Sequence, residues 1–277
     1  MQIHTWMHGA NSATAIEKTF KANSKYNAIE IDITSFDGIP KLAHDVGVKH
    51  IDTTLESFLA TVATIKRPYT IKFDFKDKLS IVNGINIIKN ANVSEITNHV
   101  FYLHANTIIG PGGNDKLIMN STEFINLSRT QLPTFWVSIG MRTDWNIKTL
   151  LFSHAYTSYH IQELAKAKNC ILSLRMVILS QTSPNILGPI SKNNLLIWGE
   201  KGFFEVMWLR NNPQFLIDQD VKSVNVWLMG TYMWLFVWST LLIVILIYLL
   251  KNVTDYFEKK SNRQKYDMLP KPFLVNI

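Results

Sequence analysis

The sequence predicts an α/β fold, a closed (β/α)8 barrel of the TIM type, followed by one transmembrane helix. Two observations lead to this prediction. Short apolar runs alternate with longer amphipathic stretches through residues 1–223, and residues 224–250 contain no charged side chain. Strands that alternate with helices form parallel βα units, and eight such units close most economically into a barrel. An open doubly wound sheet is the alternative architecture.

Each element of the predicted barrel follows from the spacing of its apolar residues. The predicted strands are short apolar runs at residues 3–8, 28–33, 69–75, 99–105, 134–140, 170–177, 194–199 and 214–218. The predicted helices are amphipathic stretches at residues 12–22, 52–65, 78–91, 145–167 and 202–210. Asp52 and Thr53 stand at the start of the second helix as N-cap candidates. Together these elements assign residues 1–223 to a single barrel domain.

Residues 224–250 are predicted to cross a membrane, because about 20 apolar residues span a bilayer. Aromatic residues that include Trp227, Trp238 and Tyr248 suit the two interfaces. The basic residues that follow are Lys251, Lys259, Lys260, Arg263 and Lys265. The positive-inside rule therefore places the tail, residues 251–277, in the cytosol and the barrel on the extracellular or lumenal side. A tail anchor with the barrel in the cytosol is the alternative, which the lack of a recognisable signal peptide favours.

Composition narrows the classes of partner. The formal net charge of +7 is spread along the chain, with no block of Lys and Arg before residue 250, so no nucleic-acid-binding surface is predicted. The single cysteine, Cys170, excludes an intrachain disulfide and is predicted to be a core residue. Sequons at Asn92, Asn120 and Asn126 are predicted glycosylation sites on an extracellular or lumenal domain.

Acidic residues interrupt two of the predicted strands. In AIEIDI, Glu30 and Asp32 share one face, because side chains alternate across a strand. In YTIKFDF, Lys72 and Asp74 share a face, which Lys76 continues. Three acids that converge at one rim of a barrel form a natural site for Mg²⁺ or Ca²⁺, whose ligands are oxygen atoms. The alternative is a buried salt-bridge network in which the two lysines neutralise the acids.

Two histidines follow predicted strands in the same region. His8 ends the first strand and His44 follows the apolar run of PKLAHD. A neutral histidine accepts a proton and a protonated one donates it, so a pair beside a metal-bound phosphate suits general acid–base cleavage of a phosphodiester. The remaining histidines that we predict to be structural are His4, His50, His99, His154 and His160.

The order of these motifs resembles the glycerophosphodiester phosphodiesterase superfamily. The matching stretches are HGANS (8–12), EIDI (30–33), TSFDG (34–38), IPKLAHD (39–45), DFK (74–76), LLIWGE (195–200) and FLIDQD (215–220). A narrower resemblance is to the menorin family, a membrane-associated or secreted branch of that fold. It is carried by WMHGANS (6–12), IKFDFK (71–76), LHANTIIGPGG (103–113), VSIGMRT (137–143) and Arg175. The chain departs from that family at His104 and Asn106, where menorins usually have Asn and Asp.

The resemblance implies a phospholipase-C-like phosphodiesterase fold with a defined site. Glu30, Asp32 and Asp74 are then the metal ligands, for Mg²⁺ or Ca²⁺, and His8 and His44 form the acid–base pair. The residues implied to contact substrate are Lys76, Lys72 and Arg175.

Two functions are compatible with that site. The first is a membrane-tethered, metal-dependent phosphodiesterase acting on phosphodiesters such as lysophospholipids. The second is a cell-surface module for adhesion signalling, which binds a protein partner and keeps a vestigial site.

Overall fold

The chain divides into two units, Met1–Ser223 and Val224–Ile277. A computed structural model describes residues 5–45, 52–96, 98–113, 117–143, 155–166, 170–179, 182–183, 195–198 and 238–254. The predicted strand at 214–218 and the predicted helix at 202–210 lie outside these ranges.

The described residues of the first unit form one eight-stranded sheet. Its strands are β1 (Trp6–Met7), β2 (Ala28–Phe36), β3 (Ile39–Leu42), β4 (Thr70–Phe75), β5 (Val100–Ile109), β6 (Trp136–Arg142), β7 (Ile171–Arg175) and β8 (Leu195–Trp198). Seven of them pair in parallel in the order β1-β2-β4-β5-β6-β7-β8, and β3 pairs with β2 in the antiparallel sense. The predicted parallel α/β sheet is confirmed.

Helices connect the parallel strands, as expected for βα units. They are α1 (Ala13–Phe20), α2 (Leu55–Thr64), α3 (Lys78–Ala91), α4 (Val93–Ile96), α5 (Ser121–Gln131), α6 (Ser158–Lys166) and α7 (Met176–Leu179). Side chains of the N-cap residues, just before the first helical residue, fix where α2 and α3 begin. Thr54 and Asp77 each accept a hydrogen bond from the backbone three residues on and form capping boxes with Ser57 and Ser80.

Apolar side chains of the central strands form the core on one face of the sheet. Ile29, Ile31 and Ile33 of β2 are each 0% exposed, and Phe73 of β4 is equally buried. The Phe73 ring stacks on that of Phe101, with 6.1 Å between centroids. Each side chain of this size contributes about 1.5–3 kcal/mol when it is fully removed from water.

The opposite face of the sheet is polar and nevertheless buried. Its buried residues include Glu30, Asp32, Lys72, Asp74, His104, Ser138, Ser173 and Arg175. A parallel sheet that is buried on both faces, with polar side chains turned inward, is a curled sheet of the kind found in TIM-like barrels. No pairing between β8 and β1 occurs among the residues that the structure describes.

The antiparallel hairpin of β2 and β3 was not predicted. Residues 39–42, which form β3, were interpreted only as an apolar run within a motif. Its turn consists of Asp37 and Gly38, with φ of 50° and 80°. Two successive positive φ values define the type I′ turn, whose twist suits a two-residue hairpin. The hairpin lies at the carboxyl end of β2, and Ala43 N donates to Asp32 O at 3.0 Å just beyond it.

Helix α5 is also absent from the predicted helices. Its sequence, STEFINLSRTQ, is dominated by polar and β-branched residues whose helix propensity is low. Asn120 caps it, because its side chain accepts a hydrogen bond from Thr122 N at 2.9 Å. Phe124 and Ile125 supply the buried contacts. Packing and the cap therefore determine this helix where apolar periodicity is weak.

The second unit is described only at residues 238–254, which are helical. Their apolar side chains are exposed, for example Leu242 and Ile247 at 61% each. In the described part of the chain, no helix has both the length and the apolar character needed to cross a bilayer. Residues 224–237, the first part of the predicted transmembrane segment, lie outside the described residues.

Burial of His99 makes the stability of the first unit dependent on pH. His99 Nδ1 accepts a hydrogen bond from Tyr69 N at 3.2 Å, which requires a neutral ring. Burial lowers the pKa of His99, although the contact with Val62 O opposes this change. Below about pH 6.5 the unfolded chain then binds a proton that the folded chain does not, so stability falls as pH falls.

We expect the free energy of unfolding to decrease between pH 7 and pH 5, by at most about 1.4 kcal/mol per pH unit from His99. His99→Asn keeps an acceptor for Tyr69 N and should reduce that slope. Urea-induced unfolding of the full chain at several pH values measures it. An equal slope in the variant would show that His99 titrates alike in the folded and unfolded chains.

Candidate metal centre

Parallel pairing of β2 with β4 brings the three predicted acids together. Glu30 lies opposite Lys72 and Asp32 lies opposite Asp74. Paired residues of parallel strands point to the same side of the sheet, so all three carboxylates enter the polar interior. One carboxylate oxygen from each lies within 4.8 Å of the others, and all three residues are buried. The predicted convergence of Glu30, Asp32 and Asp74 is present in the structure.

Both predicted lysines contact these acids. Lys72 Nζ lies 2.9 Å from Glu30 Oε2. Lys76 Nζ lies 2.7 Å from Asp32 Oδ1 and 2.7 Å from Asp74 Oδ2. The salt-bridge network, which was the alternative to a metal site, is therefore present in the same residues that form the acid cluster.

Electrostatics keep the buried acids ionised. Burial raises the pKa of Glu30, but Lys72 and His8 outweigh it and hold that pKa well below its usual range. Burial likewise acts to raise the pKa of Asp74, but the charges of Lys76 and Lys72 outweigh it and lower that pKa on balance. The pKa of Lys76 is raised, because Asp74 and Asp32 outweigh its own desolvation. Glu30, Asp74 and Lys76 are thus charged at neutral pH and are stabilised by neighbouring opposite charges.

The loop after β1 supplies two further polar groups. His8 Nδ1 lies 3.1 Å from Glu30 Oε2, which confirms that this histidine is adjacent to the acids. Asn11 donates from Nδ2 to Asp32 Oδ2 at 2.8 Å, and its Oδ1 accepts from Asp32 N at 2.8 Å. Gly9 permits the turn between them with a φ of 52°, in the left-handed region that favours glycine. The HGANS stretch therefore shapes one wall of the site.

His104 is a site residue to which the sequence analysis gave no role. Its Nδ1 lies 2.9 Å from Ser138 Oγ, and its Nε2 lies 3.9 Å from Asp74 Oδ1. Burial and the nearby Lys72 lower the pKa of His104 to about 3, so the ring is neutral. A Cβ at Gly140 would lie 2.7 Å from His104 Cε1, so only glycine leaves room for this ring. Position 104 pairs with position 74 across the sheet, and this register is what brings His104 to the site.

The two remaining predicted site residues, His44 and Arg175, differ in exposure. His44 is 65% exposed, and among the described contacts its Nδ1 pairs with Asp45 Oδ2 at 3.1 Å. It follows Ala43, whose N–H binds the carbonyl of Asp32, so it lies at the rim of the site. Arg175 is buried at the carboxyl end of β7, where its N–H donates to Tyr156 Oη at 3.0 Å.

The three sequons lie on the surface of the first unit. Asn92 is the C-cap of α3, with a φ of 50°, and its side chain donates to Glu95 Oε2 at 2.6 Å. Asn120 is the N-cap of α5, and Asn126 is exposed on the same helix. All three side chains are therefore accessible, and two of them also take part in capping.

The acid cluster has the donors that a hard divalent cation requires. Oxygen atoms bound to one Ca²⁺ or Mg²⁺ at about 2.0–2.6 Å lie no more than about 5 Å apart, which agrees with the convergence of the three carboxylates. Asp74 Oδ1 is buried and accepts no hydrogen bond from the described residues. A carboxylate oxygen in that condition carries a desolvation cost that a cation would offset. The residues present therefore fit Mg²⁺ or Ca²⁺.

Asn11 is expected to stabilise the site through its two contacts with Asp32. Asn11→Ala leaves Asp32 N without its acceptor, so we expect a loss of about 1–3 kcal/mol in the free energy of unfolding. Asn23→Ala, at an exposed position between α1 and β2, should change the free energy of unfolding by less than about 0.5 kcal/mol. Urea-induced unfolding compares the two variants. Equal effects would mean that the contacts of Asn11 contribute nothing net.

A family described as the Menorin N-terminal domain matches residues 2–188. Among solved structures, a phosphodiesterase of Oleispira antarctica in complex with the product sn-glycerol-3-phosphate is similar, with a TM-score of 0.48 and 13% sequence identity. The match covers 79% of this chain and 93% of that chain.

Proposed function

Because this chain belongs to the menorin family, we propose that its first unit carries a divalent-metal site at which phosphodiesters bind and are cleaved. The observation that carries the proposal is the buried convergence of Glu30, Asp32 and Asp74 with Lys76 and His8. Carboxylates alone would suit a metal, and lysines alone would suit a phosphate. Their combination in one interior suits a metal and a phosphate together.

The chain's own residues divide the work of binding. Glu30, Asp32 and Asp74 would hold the cation, which when bound supplies Lewis-acid stabilisation of negative charge on the phosphoryl oxygens. Lys76, beside the acids, contacts a non-bridging phosphate oxygen. Lys72 stays with Glu30 at 2.9 Å and orients that carboxylate. Asn11 fixes Asp32 from the opposite side.

The histidines transfer the protons. An attacking hydroxyl, from water or from the substrate's own neighbouring carbon, forms a new P–O bond while the P–O bond to the leaving alcohol breaks. One histidine takes the proton of the attacking oxygen and the other donates a proton to the leaving oxygen. His8 is oriented for this task by Glu30. His44, at the rim, is the proposed second member of the pair.

A direct assay tests the enzyme proposal. Full-length protein is incubated with a panel of glycerophosphodiesters and lysophospholipids, with Mg²⁺ or Ca²⁺ supplied, and released alcohol or head group is measured. We expect turnover that falls by about 100-fold or more in His8→Ala, and not in the exposed variant Asn23→Ala. Absence of any product across the panel, with a folded and metal-loaded chain, would contradict the proposal.

A second candidate function rests on one observation. Lys72 and Lys76 already pair with all three acids, so each carboxylate has a counter-charge within the chain itself. A surface-binding module with a vestigial site needs no more than that. The double variant His8→Ala/His44→Ala separates the two functions. Unchanged cell-surface partner binding by this variant supports the binding module, and loss of function in a folded variant supports catalysis.

The membrane anchor is part of the proposal. We place a single span at residues 224–250 and the barrel outside or in a lumen, because the segment is uncharged and the basic residues follow it. The curled sheet is proposed to close into a barrel through the predicted strand at 214–218. Expression in glycosylating cells tests the orientation. A mass shift that glycosidase removes, and that disappears when Asn92, Asn120 and Asn126 are replaced by Gln, indicates that the barrel lies outside or in a lumen. The tail-anchored alternative predicts no mass shift and a barrel that added protease digests in intact microsomes.

A further inference from the structure

Lys76 lies where a cation shared by two of the acids would lie. Its Nζ is 2.7 Å from Asp32 Oδ1 and 2.7 Å from Asp74 Oδ2. An ion bound by the same two oxygens would stand within a few ångströms of the ammonium group. At such a distance two positive charges repel strongly in a buried site. A divalent cation held by Asp32 Oδ1 and Asp74 Oδ2 and this position of Lys76 are therefore mutually exclusive.

The two lysines differ in how firmly they are placed. Lys72 lies within β4, its side chain is 6% exposed, and its ammonium contacts Glu30. Lys76 follows the last residue of β4, and its side chain is 16% exposed. Its backbone is anchored, because Lys76 N donates to Ile33 O at 2.9 Å. The side chain of Lys76 is therefore the one that can leave the acids by rotation while the strand stays in place.

Charge balance indicates what must accompany the metal. The three carboxylates and the two ammonium groups that contact them sum to one negative charge, and a dication would turn that sum into one positive charge. A phosphodiester carries a single negative charge and restores neutrality. Excess charge in a buried site is costly, so the filled site is most stable with both ligands present.

We propose that Lys76 is a built-in counter-ion that the divalent cation displaces, and that an anionic phosphodiester receives the displaced ammonium. Metal and phosphodiester then bind cooperatively, and neither is held tightly alone. This inference rests on the metal site of the proposed function. It adds a switch between two partners of one side chain, the carboxylates of Asp32 and Asp74 in the empty site and the phosphate in the filled one.

Calorimetric titration of the full chain with Ca²⁺ or Mg²⁺ tests this coupling without any turnover. Dimethyl phosphate, a slowly hydrolysed phosphodiester monoanion, serves as the second ligand. We expect saturating dimethyl phosphate to tighten metal binding by at least about fivefold. Lys76→Gln should bind the metal at least about fivefold tighter without phosphate and should lose the coupling. Lys78→Gln, two residues away and exposed, should retain both wild-type affinities.

The outcomes distinguish this inference from the proposed function. If neither the wild type nor Lys76→Gln binds a divalent cation, the metal site itself is wrong. If the wild type binds the metal equally well with and without dimethyl phosphate, the inference is overturned while the metal site stands. Should Lys76→Gln fail to fold, the wild type still shows whether the two ligands are coupled, because Ca²⁺ must then tighten dimethyl phosphate binding by the same factor. No effect of Ca²⁺ on dimethyl phosphate binding would also overturn the proposal.

Discussion

Replacing Asp32 by Asn is expected to reduce the affinity of the chain for Ca²⁺ or Mg²⁺ by more than about 100-fold. Loss of an outer contact of a metal ligand already costs about 10- to 100-fold, and Asp32 is itself a proposed ligand. Its carboxylate also receives Asn11 Nδ2 at 2.8 Å, a contact that an amide nitrogen in its place would oppose. Metal content of the purified protein and calorimetric titration measure the change.

Asp37→Asn is the matched control for that prediction. Asp37 lies on the same strand-and-turn segment, is exposed and has a φ of 50°, which asparagine adopts readily. The control removes the same charge and is expected to leave metal binding unchanged. Far-ultraviolet circular dichroism of both variants confirms that they fold. Equal metal affinity in Asp32→Asn and the wild type would exclude Asp32 as a ligand.

Phe73→Ala is expected to lower the free energy of unfolding by about 3–5 kcal/mol, as is typical of a large buried aromatic side chain. The ring is 0% exposed and lies 6.1 Å from Phe101, 6.3 Å from Phe58 and 6.5 Å from Phe135, measured between centroids. Its removal leaves a cavity that three rigid rings do not readily fill. A loss of this size is a large part of the stability of a typical domain.

The position of Phe73 adds a second consequence. It stands between Lys72 and Asp74 in β4, so loosening of its packing should also disturb the acid cluster on the other face. Leu79→Ala, at a position that is 59% exposed, is the matched control and should change stability by less than about 0.5 kcal/mol. Urea-induced unfolding compares the two. A loss below about 1 kcal/mol for Phe73→Ala would mean that neighbouring side chains collapse into the space.

Strand periodicity and the predicted parallel barrel together predicted the convergence of the three acids. Alternation within β2 and β4 assigned Glu30, Asp32 and Asp74 to one face, and the parallel register brought them together. Alternation reports only which face a residue occupies. It therefore left open whether Lys72 and Lys76 neutralise the acids or leave space for an ion, since that depends on side-chain positions within a few ångströms.

Three features were not predicted, namely the β2–β3 hairpin, helix α5 and the place of His104 in the site. The β2–β3 hairpin depends on a two-residue turn at Asp37 and Gly38. In the sequence these residues were interpreted as part of the TSFDG motif and not as the turn of a hairpin. Helix α5 depends on the cap at Asn120, a residue interpreted from its sequon. His104 belongs to the site only because β5 pairs with β4, and a single sequence does not give that register.

The acid cluster is assembled from residues that lie far apart along the chain. Lys72 and Glu30 are 42 residues apart, and Asn11 and Asp32 are 21 apart. Such non-local contacts form only after long loops have closed, which slows folding. Nascent or unfolded chains thus lack the coordination sphere, and a cation that binds the native state alone raises the melting temperature by mass action. Calcium or magnesium in the surrounding compartment would then stabilise fully folded chains relative to partly folded ones.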